Sequence, residues 1–166
     1  MALEIERKFR VAAGWEVPGG ARGDAIRQAY LSPAGAPTEF RVRQRGDTYL
    51  MTVKAGKRSS PAHVAVREEI EFEITEDVFL SLWNLAAGDC LSKTRWSIPW
   101  EGHEITVDVY DGVLEGVRVA EVEFDDLASA EDFRPPEWLG EEVTGQPEWG
   151  NRALARRSRE HAERAR

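Results

Sequence analysis

The sequence predicts an α+β fold dominated by an antiparallel sheet of roughly eight strands. Two observations predict it. Short segments with apolar and polar residues in alternation recur along most of the chain, and period two is the signature of a half-buried strand. Successive segments are joined by turn signals such as Gly46-Asp47 and Glu101-Gly102, with few crossover helices, so neighbouring strands run antiparallel. These features leave open whether the sheet is flat or closed. A third observation concerns chemistry. In segment after segment, the polar face carries ionisable groups rather than a neutral mixture.

The opening run Leu3-Glu4-Ile5-Glu6-Arg7-Lys8-Phe9-Arg10-Val11 sets the pattern. Alternation places Glu4, Glu6, Lys8 and Arg10 on one face and Leu3, Ile5, Phe9 and Val11 on the other, with Arg7 interrupting the apolar row. A glycine-rich loop follows, and its Gly19-Gly20-Ala21-Arg22-Gly23 cluster lacks the helix a phosphate-cradling loop requires. Residues 24–31 read as a second strand, and residues 32–37, with two prolines and a glycine, as a turn. Residues 39–45 place Arg41, Arg43 and Arg45 together opposite Phe40 and Val42. Beyond Gly46-Asp47, residues 48–54 set Thr48, Leu50, Thr52 and Lys54 opposite Tyr49, Met51 and Val53. Residues 55–65 read as a mobile loop.

Residues 66–74 repeat the opening pattern with more acid: Arg67, Glu69, Glu71 and Glu73 share a face. Thr75, followed by Glu76 and Asp77, has the form of an N-cap for a helix reaching about residue 87 and ended by Gly88. Val78, Leu82 and Leu85, joined by Phe79 and Trp83, form its apolar stripe. Residues 90–98 put Lys93, Arg95 and Ser97 together. Residues 103–110 do the same for Glu104, Thr106 and Asp108, and residues 118–124 for Glu121 and Glu123. A short helix near residues 129–133, a proline-rich stretch at 135–140 and an arginine-rich helix at 151–165 complete the chain.

The 166 residues have the size of one domain spanning 1–166, and no linker or low-complexity tract divides them. A formal net charge of −8 argues against a nucleic-acid partner. The basic residues near the end are interleaved with Glu160 and Glu163, as on a solvated helix face. No long apolar run and no basic-then-apolar leader is present, so neither membrane insertion nor export is expected. The single cysteine, Cys90, excludes an internal disulfide and suits a reducing cytoplasm. His63, His103 and His161 lack metal-ligand spacing.

An external sheet face ordinarily mixes charges so that they pair across strands. Here acids and bases segregate by strand. Acids dominate at Glu4/Glu6, Glu69/Glu71, Asp108 and Glu121/Glu123; bases dominate at Lys8, Arg41/Arg43, Lys54 and Lys93/Arg95. Closing the sheet with this face inward would gather both sets around one cavity, and burying them unpaired would cost several kcal/mol each. A phosphate chain would satisfy the cations, and Mg²⁺ or Mn²⁺ bridging that chain would satisfy the carboxylates.

In these residues the chain resembles the CYTH proteins, or triphosphate tunnel metalloenzymes. The resemblance is carried by Glu4-Ile5-Glu6-Arg7-Lys8-Phe9, Arg41-Val42-Arg43, Thr52-Val53-Lys54, Glu69-Ile70-Glu71, Lys93-Thr94-Arg95, Asp108, Glu121-Val122-Glu123, Glu142-Val143-Thr144 and Asn151. It implies an eight-stranded antiparallel closed barrel, or tunnel, with a few flanking helices, and divalent-metal-dependent triphosphate hydrolysis. By position, Glu4, Glu6, Glu121 and Glu123 correspond to the metal cluster, with Asp108 near it. Lys8, Arg41, Arg43, Lys54, Lys93 and Arg95 correspond to phosphate ligands. Glu69 and Glu71 fall on the acidic strand that holds a second metal or orients water. Tyr30 stands where short bacterial members have a tyrosine acting as proton acceptor, a role that requires neighbouring cations to lower its pKa.

The compact form resembles the short bacterial members, which favour inorganic tripolyphosphate. Class IV adenylyl cyclases share the tunnel, but their usual His-Phe opening is missing here. Thiamine triphosphatase is a second enzymatic alternative, and a polyphosphate- or nucleotide-binding module a non-enzymatic one. Trp149 and the segment Gln146-Pro147-Glu148 depart from relatives, which have Tyr and a basic residue there. Core packing is the expected task of most of the six tryptophans. Oligomeric state, monomer or homodimer, is not read from the sequence.

Overall fold

The structure, a computed structural model, describes residues 2–12, 14–33, 36–55, 64–86 and 88–165. Its strands are β1 (Ala2–Val11), β2 (Arg22–Tyr30), β3 (Thr38–Arg45), β4 (Thr48–Ala55), β5 (Ala65–Glu73), β6 (Cys90–Trp100), β7 (His103–Tyr110), β8 (Arg118–Glu123) and β9 (Leu139–Glu142). The helices are α1 (Glu76–Leu85), α2 (Leu127–Asp132) and α3 (Asn151–Arg164). The loop expected between β4 and β5 falls largely on residues 56–63. With His63, the middle of the turn at 34–35 and Ala87, it lies outside the described residues.

The strand order is β5-β4-β3-β2-β6-β7-β8-β1-β9, and β5 also pairs with β1, so eight strands close into a barrel. Every pairing is antiparallel. Closure takes place on β1. One edge of β1 pairs Glu6–Arg10 with Glu123–Val119. The other edge is divided: residues 2–6 pair with β5, while Phe9 and Val11 pair with β9. The expected two-residue turns join β3 to β4 and β6 to β7. At the second, Glu101 and Gly102 both take positive φ, 45° and 84°, the primed-turn geometry that matches strand twist.

The barrel is polar inside and apolar outside. On the outside, Ile5, Phe9, Ile105, Val107, Ala120 and Val122 pack with Ala130 of α2, Phe133, Trp15 and Trp138. A second outer cluster joins Val42, Tyr49 and Met51 to Phe79, Leu82, Trp83 and Ala86 of the α1 region. Of the expected stripe, 79, 82 and 83 make the contact, joined by 86, while 78 and 85 do not. Val78 and Leu85 are exposed, because a helix buries the i, i+3, i+4, i+7 row that its tilt presents to the sheet. Thr75 Oγ1 accepts from the Val78 amide, as the N-cap reading required. Asp126 caps α2 by accepting from the Ser129 amide at 2.7 Å, which starts that helix two residues earlier than expected. A third cluster, of Tyr30, Leu91, Tyr110 and Val119 with Leu154 and Ala155 of α3, fills one end of the barrel. Residues 90, 103 and 151 begin β6, β7 and α3 as expected.

The four-residue β9 was not foreseen, since it has no alternation of its own. It forms against the free edge of β1 and is secured by Arg7. Arg7 is 8% exposed and grips Glu142 with two hydrogen bonds, Nε to Oε1 at 2.9 Å and Nη2 to Oε2 at 2.7 Å. Its Nη1 donates to the carbonyls of Ala130 and Phe133, and its guanidinium lies over the rings of Phe9 and Phe133. The residue that interrupts the apolar row thus ties β1, α2 and β9 together. Arg7→Met should lower the unfolding free energy by about 3 kcal/mol in urea titrations, and Glu142→Gln should cost less because that side chain is partly solvated.

Candidate active site

The inward faces of the strands line a tunnel of about 1000 Å³. Cross-strand register explains the gathering: Glu6 lies opposite Glu123, Lys8 opposite Glu121, Lys54 opposite Glu69, and Arg41 opposite Thr52, which lies opposite Glu71. Of the residues singled out in the sequence, Glu4, Glu6, Lys8, Tyr30, Arg41, Arg43, Lys54, Glu69, Glu71, Lys93, Arg95, Glu121 and Glu123 all line this cavity. Asp108 does not. It lies 1% exposed behind the wall, its oxygens occupied by Lys93 Nζ (2.5 Å) and by Arg95 Nε and Nη2 (2.7 and 2.8 Å). In this arrangement Asp108 is the buried counterion that aims Lys93 and Arg95, not a free ligand for a metal.

One pole of the tunnel is rich in carboxylates. Lys54 bridges Glu4 (2.6 Å) and Glu69 (2.8 Å), and Lys8 contacts Glu121 (2.9 Å) and, more distantly, Glu6 (3.9 Å). Burial penalises the Lys8 ammonium, but Glu121 and Glu6 outweigh it and raise its pKa. Burial likewise works against Glu121, yet Lys8, Arg95 and Lys93 hold its carboxyl well below the usual range. Glu6 has no such surplus of cations. Burial, opposed by Lys8 but reinforced by Glu121 and Glu4, pushes it up to about 7. Burial, Glu4 and Glu121 raise Glu123 as well. Three or more carboxylates do not converge into a ready-made cage among the described residues, because the lysines stand between them. The donors are nonetheless hard oxygens short of positive charge, the chemistry that Mg²⁺ and Mn²⁺ match.

The opposite pole has the reverse imbalance. Arg41 and Arg43 reach Glu71 Oε2 only at 3.8 and 4.0 Å, and that oxygen already accepts from Thr52 Oγ1 at 2.7 Å. The Nε atoms of both arginines are buried without a partner. Burial, with Arg41 and Arg95 nearby, lowers Arg43 to about 10, still a cation at neutral pH. Burial and Arg95 also bring Lys93 down to about 7 against the pull of Asp108. Burial also works against Arg41, but Tyr30, Glu39, Glu69 and Glu4 outweigh it and raise its pKa. Arg43 is the arginine left short of negative charge, and a buried cation in that state marks a site for an anionic ligand.

Tyr30 does not meet the condition set for a base. Burial drives its phenol pKa upward and dominates the opposing effect of Arg41 and Arg43. Its hydroxyl accepts from Gln28 Nε2 at 2.7 Å. Tyr30 is thus a hydrogen-bonded part of the wall in this state. Trp149 packs at the barrel end beneath the guanidinium of Arg10, and Trp15, Trp83, Trp96 and Trp138 pack in the outer clusters. Sequence reasoning missed Gln28 as the partner of Tyr30, and Arg152 and Arg156 in the lining. The glutamine differs little from an ordinary strand residue in sequence, and the arginines share the composition of a solvated helix.

The CYTH domain profile matches residues 2–149. The chain belongs to the CYTH family. It is 38% identical to the inorganic triphosphatase of Nitrosomonas europaea over 154 residues, 92% of this chain and 96% of that protein. It is 31% identical to the inorganic triphosphatase of Acetivibrio thermocellus over 156 residues, 94% and 95% of the two chains. The crystal structure of the inorganic triphosphatase NE1496 superposes with a TM-score of 0.67 at 36% identity, covering 93% of this chain and 95% of the other. A Hippeastrum protein described as a putative adenylyl cyclase with dominant triphosphatase activity shares the fold at 15% identity and a TM-score of 0.54, covering 77% and 82% of the two chains. The closed barrel expected of a CYTH chain is the barrel found here.

The raised pKa of Glu6 sets a pH dependence of stability. Its folded value, about 7, exceeds the ordinary 4.5, so the folded state binds the extra proton between those limits and loses stability as pH rises through them. In chelator-treated protein, Glu6→Gln should raise Tm relative to the parent. The gap should be absent below about pH 4.5, open up to about pH 7 and stay constant above it.

Proposed function

We propose that this CYTH protein hydrolyses inorganic tripolyphosphate to pyrophosphate and phosphate inside the tunnel, with Mg²⁺ or Mn²⁺ as cofactor. The observation that carries the reading is the buried, under-neutralised Arg43 beside Arg41, each with an Nε that has no partner, in one cavity with a cluster of under-neutralised carboxylates. A phosphate chain with a hard cation satisfies both poles at once. The names of the two relatives above 30% identity point the same way.

In this reading, Lys8, Arg41, Arg43, Lys54, Lys93 and Arg95 bind the chain and neutralise charge that spreads over the phosphoryl oxygens during transfer to water. Asp108 keeps Lys93 and Arg95 extended into the tunnel, a positioning role, and through Arg95 it stays next to Glu121 of the acidic cluster. A divalent cation held by Glu4, Glu6, Glu121 and Glu123 would polarise the terminal phosphoryl group and lower the pKa of water. Lys8 and Lys54 contact the carboxylates Glu121, Glu4 and Glu69, and a cation held by the acidic cluster would leave their ammonium groups free for phosphate. Glu69, tied through Lys54 to Glu4, and Glu71, beside Arg41 and Arg43, orient the attacking water. Phosphoryl transfer needs little covalent chemistry from a protein, so a weak base suffices if the water is positioned.

Substrate choice follows from the lining. Among the described residues Tyr30 is the only aromatic side chain in the wall, and it is 2% exposed. No stacking platform there would receive an adenine or a thiamine ring, which supports the inorganic substrate over ATP or thiamine triphosphate. We take residues 1–166 as one functional unit acting on a small molecule. No helix of the described residues is long and apolar enough to cross a membrane; the free thiol of Cys90 supports a reducing cytoplasm as the place of action.

Phosphate release from tripolyphosphate, ATP and thiamine triphosphate should be fastest with the first, require added Mg²⁺ or Mn²⁺, and fall by at least about 100-fold in Glu4→Gln and Glu123→Gln. Equal, metal-independent rates in parent and Glu4→Gln would exclude the hydrolase, and cyclic AMP without phosphate release would favour the cyclase. Arg43→Ala should raise KM more than it lowers kcat, since it removes a contact to bound substrate as well as to the transition state.

A further inference from the structure

The end of the tunnel filled by α3 carries donors that nothing in the wall uses. Asn151 is the first residue of α3, and Gly150, Asn151, Arg152 and Ala153 all line the cavity. Asn151 Oδ1 accepts from Lys93 Nζ at 2.9 Å and from the Tyr110 hydroxyl at 2.5 Å. An ammonium only donates, so the atom facing Lys93 must be the amide oxygen. The Nδ2 group is thereby turned away from both. It has no acceptor among the described residues. The first-turn amides of α3 have no intrahelical acceptor either, and the N-cap, Gly150, has no side chain to supply one.

A second observation points to a ligand at the same end. The Arg41 side chain is 6% exposed, lines the cavity, and leaves its Nε without a partner. Arg41 lies opposite Tyr30 in the sheet, and Tyr30 packs with Leu154 and Ala155 of α3. Amide, guanidinium and helix N-terminus therefore lie toward one end of the tunnel and supply donors there, with Glu39 the carboxylate that acts on Arg41 and Tyr30. Such donors match a terminal phosphoryl group, whose oxygens only accept.

We propose that Asn151, with the first turn of α3, forms a subsite for the phosphoryl end of the substrate remote from the acidic cluster, and that this subsite selects a free phosphate over an esterified one. The proposal rests on the reading that the tunnel takes a triphosphate. An ester substituent at that end would meet α3 and the apolar plug behind it, so Asn151 is a specificity-determining residue.

Two substitutions separate this role from a structural one. Asn151→Asp keeps oxygens for Lys93 and Tyr110 but replaces the donor with an anion. Asn151→Ala removes both the acceptor and the donor. If Asn151 only braces the wall, Asp is the milder change; if it binds phosphate, Asp is the harsher. Calorimetric titration with pyrophosphate in EDTA should show binding weakened by about tenfold in Asn151→Asp, with Tm held at the parent value, and by a smaller factor in Asn151→Ala. The preference for tripolyphosphate over ATP, measured as a kcat/KM ratio, should narrow in Asn151→Ala. Parent-like binding by folded Asn151→Asp would overturn the proposal; should that variant not fold, parent-like binding by Asn151→Ala would do so. Pyrophosphate binding that depends on Asn151 in a protein unable to hydrolyse tripolyphosphate would sink the triphosphatase reading and leave the subsite standing. Hydrolysis by a parent whose anion binding ignores Asn151 would do the reverse.

Discussion

Everything in this structure depends on the double pairing of β1. Because β1 joins β8 along one edge and β5 along the other, the sheet cannot lie open. Its ionisable face is forced to enclose a volume. The same pairing places Glu4 and Glu6 beside residues distant in sequence, Glu69 on one side and Glu121 and Glu123 on the other. A flat sheet with these residues would be an unremarkable solvated surface with weak ion pairs. Curled, it becomes a confined space in which each charge is felt by several others.

Such confinement has to be stabilised from outside, because charges in a lumen provide little net driving force for folding. The apolar residues do so from the exterior, where α1 and α2 cover parts of the sheet and α3 seals an end. Within the lumen, neutralisation is partial and uneven. Lys8, Lys54 and Asp108 each settle between opposite charges, whereas Glu6 on one side and Arg43 on the other remain under-compensated. That residual polarity, acid at one pole and base at the other, gives the cavity a direction along which a bound chain would align.

How much of this could be read beforehand follows from the range of the forces involved. Strand alternation is local geometry, so the inward set from Glu4 to Glu123 was legible, as was Thr75 as a cap. Closure was legible only through resemblance, since no single segment encodes its partner. The pairing of Arg7 with Glu142 spans 135 residues, and β9 exists only because β1 offers it an edge; neither leaves a periodic trace. The proton affinity of Tyr30 depends on how deeply it is buried relative to its cations, a balance that three-dimensional packing decides. Asp108 shared a face with genuine lining residues, and only its depth behind Lys93 and Arg95 separated it from them. Asn151 stood at the start of a helix whose composition suggested solvent, and its polar contacts come from β6 and β7.

The alternation of β1 also assigns its neighbours to different tasks. Glu6 and Lys8 face the lumen, while Arg7 between them staples the outer layer. Adding or deleting one residue between Glu4 and Lys8 would reverse the strand's faces. The staple would then point into the cavity and the carboxylates into the greasy exterior, abolishing assembly and chemistry in one event. This strand can drift by substitution over evolutionary time, but it has almost no freedom to change length.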